Sequence, residues 1–275
     1  MSVSATDRVH VRRAQSDRGY TRFCTAGEDL AHLTYGTCNL DAGDRWEMDA
    51  GSDEVLAVIL RGRADIGAGS RSWTGLGGRA TVFAGRATAV YAPPRSHLAL
   101  AAAGGPALIG VCQSPVAAGE ATPEPYVVRP EDVVVNQRGR APFAREVHDI
   151  LDASRPAAHL VVGETFNAPG NWSSYPPHKH DENRPDEEVR LEEQYYFQVD
   201  PEQGFGAQFL YTADGALDEA YRVRQGDVTL LPRGYHPVSA APGYRLYYLW
   251  VMAGDGRRLR PFDDPVHAWV KSAPA

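Results

Sequence analysis

Lysine is almost missing from this 275-residue chain: Lys179 and Lys271 are the only two, and arginine carries nearly all the basic charge. Acidic residues (35) outnumber basic ones (28), for a formal net charge of −7. Such a surface repels phosphate unless a local basic patch intervenes, which argues against a nucleic-acid partner. Cysteine is scarce as well. Cys24, Cys38 and Cys112 are odd in number and widely spaced, a pattern that fits neither a disulfide framework nor a zinc ribbon and points to thiols in a reducing cytoplasm. No run approaches the roughly 18–20 uncharged apolar residues of a membrane span. The polar start, MSVSATDRVHVRRAQSDRGYTRF, lacks the apolar core of a signal peptide. A soluble, cytoplasmic protein with no membrane partner is expected.

Helical signals are sparse too, the best being Ala144–Leu151. Glycine (27) and proline (20) are abundant and spread along the chain. They punctuate short apolar runs and alternations such as Leu56–Leu60, Ala107–Cys112, Gly206–Tyr211, Asp227–Leu231 and Arg245–Met252. Strands of four to eight residues bounded by turn signals imply an all-β sandwich or barrel.

An internal repeat sets the organisation. His32-Leu33-Thr34-Tyr35-Gly36 followed by Gly43 matches His159-Leu160-Val161-Val162-Gly163 followed by Gly170, at an offset of 127 residues. A tryptophan comes next in each (Trp46, Trp172), then a glutamate-led strand (Glu54 to Gly62, Glu193 to Val199). Further on, the segment from Ala89 through Pro93 to His97 matches that from Val228 through Pro232 to His236. A repeat of this length is a domain rather than a solenoid unit. Two tandem barrels are expected: residues 1–125, then a connecting segment 126–156 carrying the short helix, then residues 157–275.

The second repeat carries the chemistry. In His178-Lys179-His180, residues i and i+2 of a strand point to one face, so both imidazoles can reach one point, and Pro176 and Pro177 stiffen the approach. Along Leu191–Val199, alternation groups Leu191, Glu193, Tyr195, Phe197 and Val199 on the apolar face. A carboxylate on that face is costly unless paired or metal-bound. Glu193 is therefore the expected ligand, and Glu192 the alternative if alternation misleads. Gly226 starts a strand, and a Pro232–Gly234 turn ends it just before His236. Three histidines and one glutamate make an N3O set suited to a divalent ion such as Zn, Mn or Fe, whose identity such ligands do not fix.

These strings resemble the two motifs of the cupin superfamily, an H-x-H, short gap, Glu pattern and a G-x5-P-x-G-x2-H pattern. The chain departs from them in a long acidic gap between His180 and Glu193 and in a second motif one residue short, with Tyr235 alone between Gly234 and His236. The first repeat has no H-x-H, only Asp49, Gly51 and Ser52 before Glu54, and His97 alone at a motif-like place. It is expected to be a metal-free structural barrel.

Longer strings, Glu164–Asp181, Leu191–Phe197, Pro201–Gly206, Gly234–Tyr244, Tyr247–Gly254 and Asp264–Val270, resemble the 5-deoxy-glucuronate isomerase family of myo-inositol catabolism. That is a bicupin family related to the uronate ketol-isomerase of pectin breakdown. The resemblance implies an aldose–ketose isomerase with one divalent ion, a small uronate substrate and a possible homo-oligomer. Such chemistry needs a base and a holder for the substrate carboxylate. Glu164 is a candidate base, or a buried structural glutamate. Tyr235 is a candidate donor to a substrate oxygen, or turn packing. Arg190, Arg233 and Arg245 are the candidate carboxylate holders. The loop Asn167–Trp172 reads as pocket mouth or tight connection, and the acidic run Asp181–Glu188 as a solvated loop or a lid. The same ligand set admits two other readings, an Fe(II) cupin dioxygenase and a non-catalytic sugar-binding cupin.

Overall fold

A computed structural model describes residues 11–12 and 18–273. The chain folds into two compact units. One holds Ala14–Val134 and Ile150–Val161; the other holds Met1–Arg13, Val135–Asp149 and Val162–Ala275. Among the described residues helix is confined to three 3-10 turns, Val82–Ala84, Pro130–Asp132 and Ala268–Lys271. The fold is all-β, two tandem cupin-type barrels.

In the first unit, a six-stranded sheet runs in the order Tyr126–Val128, Thr88–Ala92, Asp53–Arg61, Ala107–Pro115, Thr34–Leu40 and Gly19–Cys24. A four-stranded sheet of Arg45–Asp49, His97–Ala102, Arg63–Ala68 and Arg71–Gly77 faces it. Side chains from both fill the space between: Val55, Ala57, Ile59, Ile109 and Val111 from one, Ile66, Leu98 and Leu100 from the other. Fully burying each aliphatic chain of this size contributes about 1.5–3 kcal/mol. The opposite parity, Leu56, Val58 and Leu60, is fully buried too.

The second unit repeats this plan. Its main sheet runs Val11–Arg12, Val228–Leu231, Leu191–Asp200, Arg245–Gly254, Val161–Asn167, Arg145–Leu151 and Val134–Arg138. Trp172–Ser173, Val238–Ala240, Gly206–Tyr211 and Asp218–Val223 form the smaller sheet, and His178–Lys179 pairs with Phe262–Asp263. The Leu191–Asp200 strand is buried at nine of its ten positions, so it too is covered on both faces.

The sequence expectation fails at Ala144–Leu151, which is not a helix. Arg145–Leu151 is a strand within the seven-stranded sheet. Its spacing of Val147, Ile150 and Leu151 suits a helix face, but on the strand His148 and Ile150 are buried and hydrogen bonding within a sheet overrides local propensity. The segment 126–156 thus gives Tyr126–Val128 to the first unit's sheet and Val134–Arg138 and Arg145–Leu151 to the second's.

Candidate metal centre

The Leu191–Asp200 strand lies between Val228–Leu231 and Arg245–Gly254. Glu193 is opposite Leu231 and Met252, and Tyr195 opposite Thr229 and Trp250. Directly opposed residues share a face, and the Tyr195 ring meets that of Tyr248 at 4.3 Å and that of His236 at 6.2 Å. Glu193, Tyr195, Tyr248 and His236 therefore converge on the barrel interior. Glu192 takes the other face, opposite Ala253.

Two turns deliver the histidines. At Gly234 the chain passes through φ +94°, and a Cβ there would come within 2.8 Å of the Tyr211 carbonyl oxygen. Only glycine fits this bend, which turns His236 inward. On the His178–Lys179 strand, Lys179 points the other way, pairing with Asp181, with Glu182 at 3.0 Å and with Glu188 at 3.1 Å. Asp181 also accepts the Gly234 N–H at 2.7 Å, so the two histidine-bearing turns are tied together.

His180, Glu193 and His236 are buried and form a group whose ligand atoms lie within 4.8 Å of one another. His180 Nδ1 contacts the Leu191 carbonyl at 2.7 Å, and His236 Nδ1 that of Gly234 at 2.8 Å. A carbonyl only accepts, so each Nδ1 carries a proton and each Nε2 of the neutral ring presents a lone pair. Both Nε2 atoms face one carboxylate oxygen, Glu193 Oε2, at 3.2 Å and 3.4 Å. His236 Nε2 is buried without a hydrogen-bond donor. Acceptors converging on one point repel unless a cation lies among them, so the set fits a divalent ion. His178 stands beside the group, its ring centre 5.1 Å from that of His236 and 6.4 Å from that of His180.

Burial governs the charge states. It pushes His178 well below the ordinary imidazole value, and the neighbouring His236 and His180 add to the shift. His236 is pushed down to about 4, burial outweighing the attraction of Glu193. His180 moves the other way: burial lowers it, but the Glu193 carboxylate raises it more. Tyr195 is raised well above the usual phenol value, by burial and then by the Glu193 charge, and touches Ser174 Oγ at 3.3 Å. Tyr248, also raised by burial, donates to Ser173 Oγ at 2.9 Å. Both phenols keep their protons beside the cluster.

The other sequence candidates lie elsewhere. Glu164 accepts from Tyr247 Oη at 2.8 Å and lies 3.7 Å from His148 Nδ1. Tyr247 alternates with Tyr248 along its strand, so Glu164 is on the sheet face opposite Glu193, away from the ion site, and is not placed to act as base there. Alternation misled because the Val161–Asn167 strand is buried on both faces, and its apolar parity marks the outer one. Tyr235 stacks on Tyr211 at 5.2 Å and senses Asp264, Lys179, Arg184 and Asp181. That is the Lys179 side, so turn packing describes Tyr235. Arg245 pairs with Asp200 at the surface, seven residues or about 23 Å along the strand from Glu193. Arg190 is exposed, and Arg233 is half-buried with its charge felt at Asp214. The interior phenols Tyr195 and Tyr248 were not singled out from sequence, although the parity that selected Glu193 also selects Tyr195.

The first unit lacks these groups at the matching places. Val55 is opposite Ala92 and Gln113, as Glu193 is opposite Leu231 and Met252. Ala92 and Leu231 each precede the proline of the matched turn, Pro93 and Pro232. Val55, not Glu54, therefore corresponds to Glu193. Glu54 faces away, accepting from Tyr91 Oη at 2.8 Å and from the backbone N–H groups of Ala158, His159 and Leu160 at 2.6–2.7 Å. His97 is half exposed and contacts Asp49 Oδ1 at 2.9 Å.

Two cupin-type repeats, the second holding a buried His/Glu group fit for a metal, define a bicupin. The chain belongs to the KduI/IolB family, whose model matches residues 9–270. It is 41% identical over 232 residues to the 5-deoxy-glucuronate isomerase of Geobacillus thermodenitrificans, spanning 84% of this chain and 83% of that one. The crystal structure of an IolB-like protein from Salmonella typhimurium matches with a TM-score of 0.90 and 32% identity, over 94% of this chain and 98% of the other. A Bacillus subtilis oxalate decarboxylase mutant matches with a TM-score of 0.58 and 13% identity, over 95% of this chain and 78% of that one, a likeness of fold alone. Among the described residues no helix is long and apolar enough to cross a membrane.

Proposed function

We propose that this isomerase converts 5-deoxy-glucuronate to 5-keto-2-deoxy-gluconate in myo-inositol catabolism, using one divalent ion held by His178, His180, Glu193 and His236. The observation that carries the reading is the pair of imidazole Nε2 lone pairs turned onto one Glu193 oxygen. The 5-deoxy-glucuronate isomerase name of the Geobacillus relative supports the substrate. A zinc, manganese or iron ion held there would act as a Lewis acid toward the substrate's carbonyl and adjacent hydroxyl oxygens.

The reaction moves hydrogen between two neighbouring carbons. A proton leaves the carbon next to the carbonyl, the hydroxyl proton on that carbon passes to the former carbonyl oxygen, and a proton returns to the former carbonyl carbon, so the formula is unchanged and no oxidant is consumed. The chain's own groups suit that task. The Leu191 and Gly234 carbonyls fix the ring orientations of His180 and His236, so the ligands are held in place before substrate arrives. Tyr195 retains its phenolic proton and can donate it to a substrate oxygen as negative charge develops, while Tyr248 gives its proton to Ser173 Oγ and packs against the Tyr195 ring. Met252 and Trp250, opposite Glu193 and Tyr195, are buried and make this face of the strand apolar. The test is an NMR time course of the purified protein with 5-deoxy-glucuronate under nitrogen. Loss of the aldehyde signal with appearance of the ketose supports the reading, whereas turnover that requires oxygen would point to a dioxygenase.

A further inference from the structure

We propose that Arg145 is the residue that anchors the carboxylate of the uronate substrate. The inference rests on the isomerase reading above and adds to it the group that selects an acid over a neutral sugar.

Face, partners and neighbours all support this assignment. His148 lies 3.7 Å from Glu164, and its ring is 4.7 Å from Phe166, which in turn is 5.2 Å from Tyr247. These contacts place His148 on the outer face of the sheet. Arg145, three residues earlier on the same extended strand, takes the opposite parity, the face of Tyr195, Tyr248 and Glu193.

Its guanidinium has no acidic partner among the described residues. Nη1 donates to the carbonyls of Phe143 and Tyr175, each at 3.3 Å. These two bonds leave the Nε–Nη2 edge available for an acceptor from outside the chain. Tyr175 leads through Pro176 and Pro177 into His178, so the bond to its carbonyl fixes Arg145 beside the ligand-bearing segment. The charge of Arg145 is felt at Tyr195, Tyr248 and His178, and Arg138 adds a second positive charge nearby. A half-buried guanidinium without a carboxylate is costly, and a bidentate carboxylate is the ligand its planar fork matches best. By contrast, Arg245 already has Asp200.

The experiment compares the wild type with Arg145→Met and Arg145→Lys in three readouts: turnover of 5-deoxy-glucuronate, turnover of the neutral aldose 5-deoxy-glucose, and calorimetric binding of D-glucuronate. Removing a charge-assisted contact should raise KM for the acid about 10–100-fold with kcat little changed. Neutral-sugar turnover should stay as in the wild type, so the preference for acid collapses. Arg145→Lys, which keeps the charge but loses the fork, should fall between and guards against a methionine variant that fails to fold. An acid KM within twofold of wild type in a folded variant overturns the assignment while leaving the isomerase reading intact. A wild type that turns over neither sugar defeats the isomerase reading instead. D-glucuronate binding then judges Arg145: weaker binding by the variants upholds it as an acid-sugar anchor, and unchanged binding overturns it.

Discussion

Val55 stands at the register position in the first repeat that Glu193 holds in the second. A valine offers no ligand, and the histidine of the matched turn, His97, is half exposed beside Asp49. Metal analysis of the purified protein should therefore give about one ion per chain, as expected for a single four-ligand site. Glu193→Gln should lose the ion, and His97→Ala should keep it. Two ions per chain, with the second lost on changing His97, would contradict this.

Glu164→Gln separates the two faces of the main sheet. Glu164 bonds Tyr247 on the face away from Glu193, so kcat should stay within about threefold of wild type, against the 10²–10⁴-fold drop that removing a general base brings. Stability should fall, because the amide disturbs a buried pair with Tyr247 and His148. A large loss of kcat in a protein that melts normally would return Glu164 to the mechanism.

How much of this was legible in the sequence depended on whether a strand has one buried face or two. Alternation along Leu191–Val199 selected Glu193 over Glu192, because the apolar parity there coincides with the barrel interior. The same rule failed on Leu160–Phe166, where both faces are buried and the interior one carries Gly163, Thr165 and Asn167. The duplication was readable as matched landmarks, yet the glutamates that open the two strands are not equivalent. Glu54 corresponds to Glu192, a one-residue slip that cross-strand pairing reveals and spacing does not. Arg145 escaped notice because its segment mimics a helix. Read as a strand, that segment alternates Arg145 and Val147 against His148 and Ile150, which is the signal that would have found it.

Lys179 separates the two candidate ligands His178 and His180 in sequence but acts on the other side of its strand. Its ammonium neutralises Glu188, whose side chain is fully buried, and pairs with Asp181, which holds the Gly234 turn. Lys179→Met takes the nearest cation from Glu188, which keeps Arg184 Nε at 3.5 Å and the N–H groups of Asp181 and Glu182, so the loss should be about 1–3 kcal/mol. Denaturant unfolding checks the value. Loss of less than 1 kcal/mol would show that the acidic loop solvates itself once the lysine is gone.

The metal-free protein should show two histidines titrating in opposite directions. His236, depressed to about 4 by burial, should stay neutral through mild acid, while His180, raised by Glu193, should hold its proton above the ordinary value near 6.5. The signs for stability follow. Between roughly pH 6.5 and 4 the unfolded chain protonates His236 and the folded one does not, so this residue lowers stability as pH falls. His180 contributes stability in acid that disappears as pH rises through its elevated folded value. NMR titration of the imidazole rings checks both, and a His236 that protonates near 6.5 contradicts the buried-ligand geometry.

The most direct test of the central claim is the rate at which 5-deoxy-glucuronate loses its aldehyde NMR signal, followed under nitrogen with one enzyme preparation as purified, after chelation, and after adding back a divalent ion. Two packed β-units do not depend on an ion to fold, unlike a zinc finger, so the stripped protein should keep its thermal transition. The account predicts full conversion by the enzyme as purified, none after stripping, and recovery on adding about one equivalent of ion per chain. Conversion at an undiminished rate by a folded protein shown to hold no ion would contradict it.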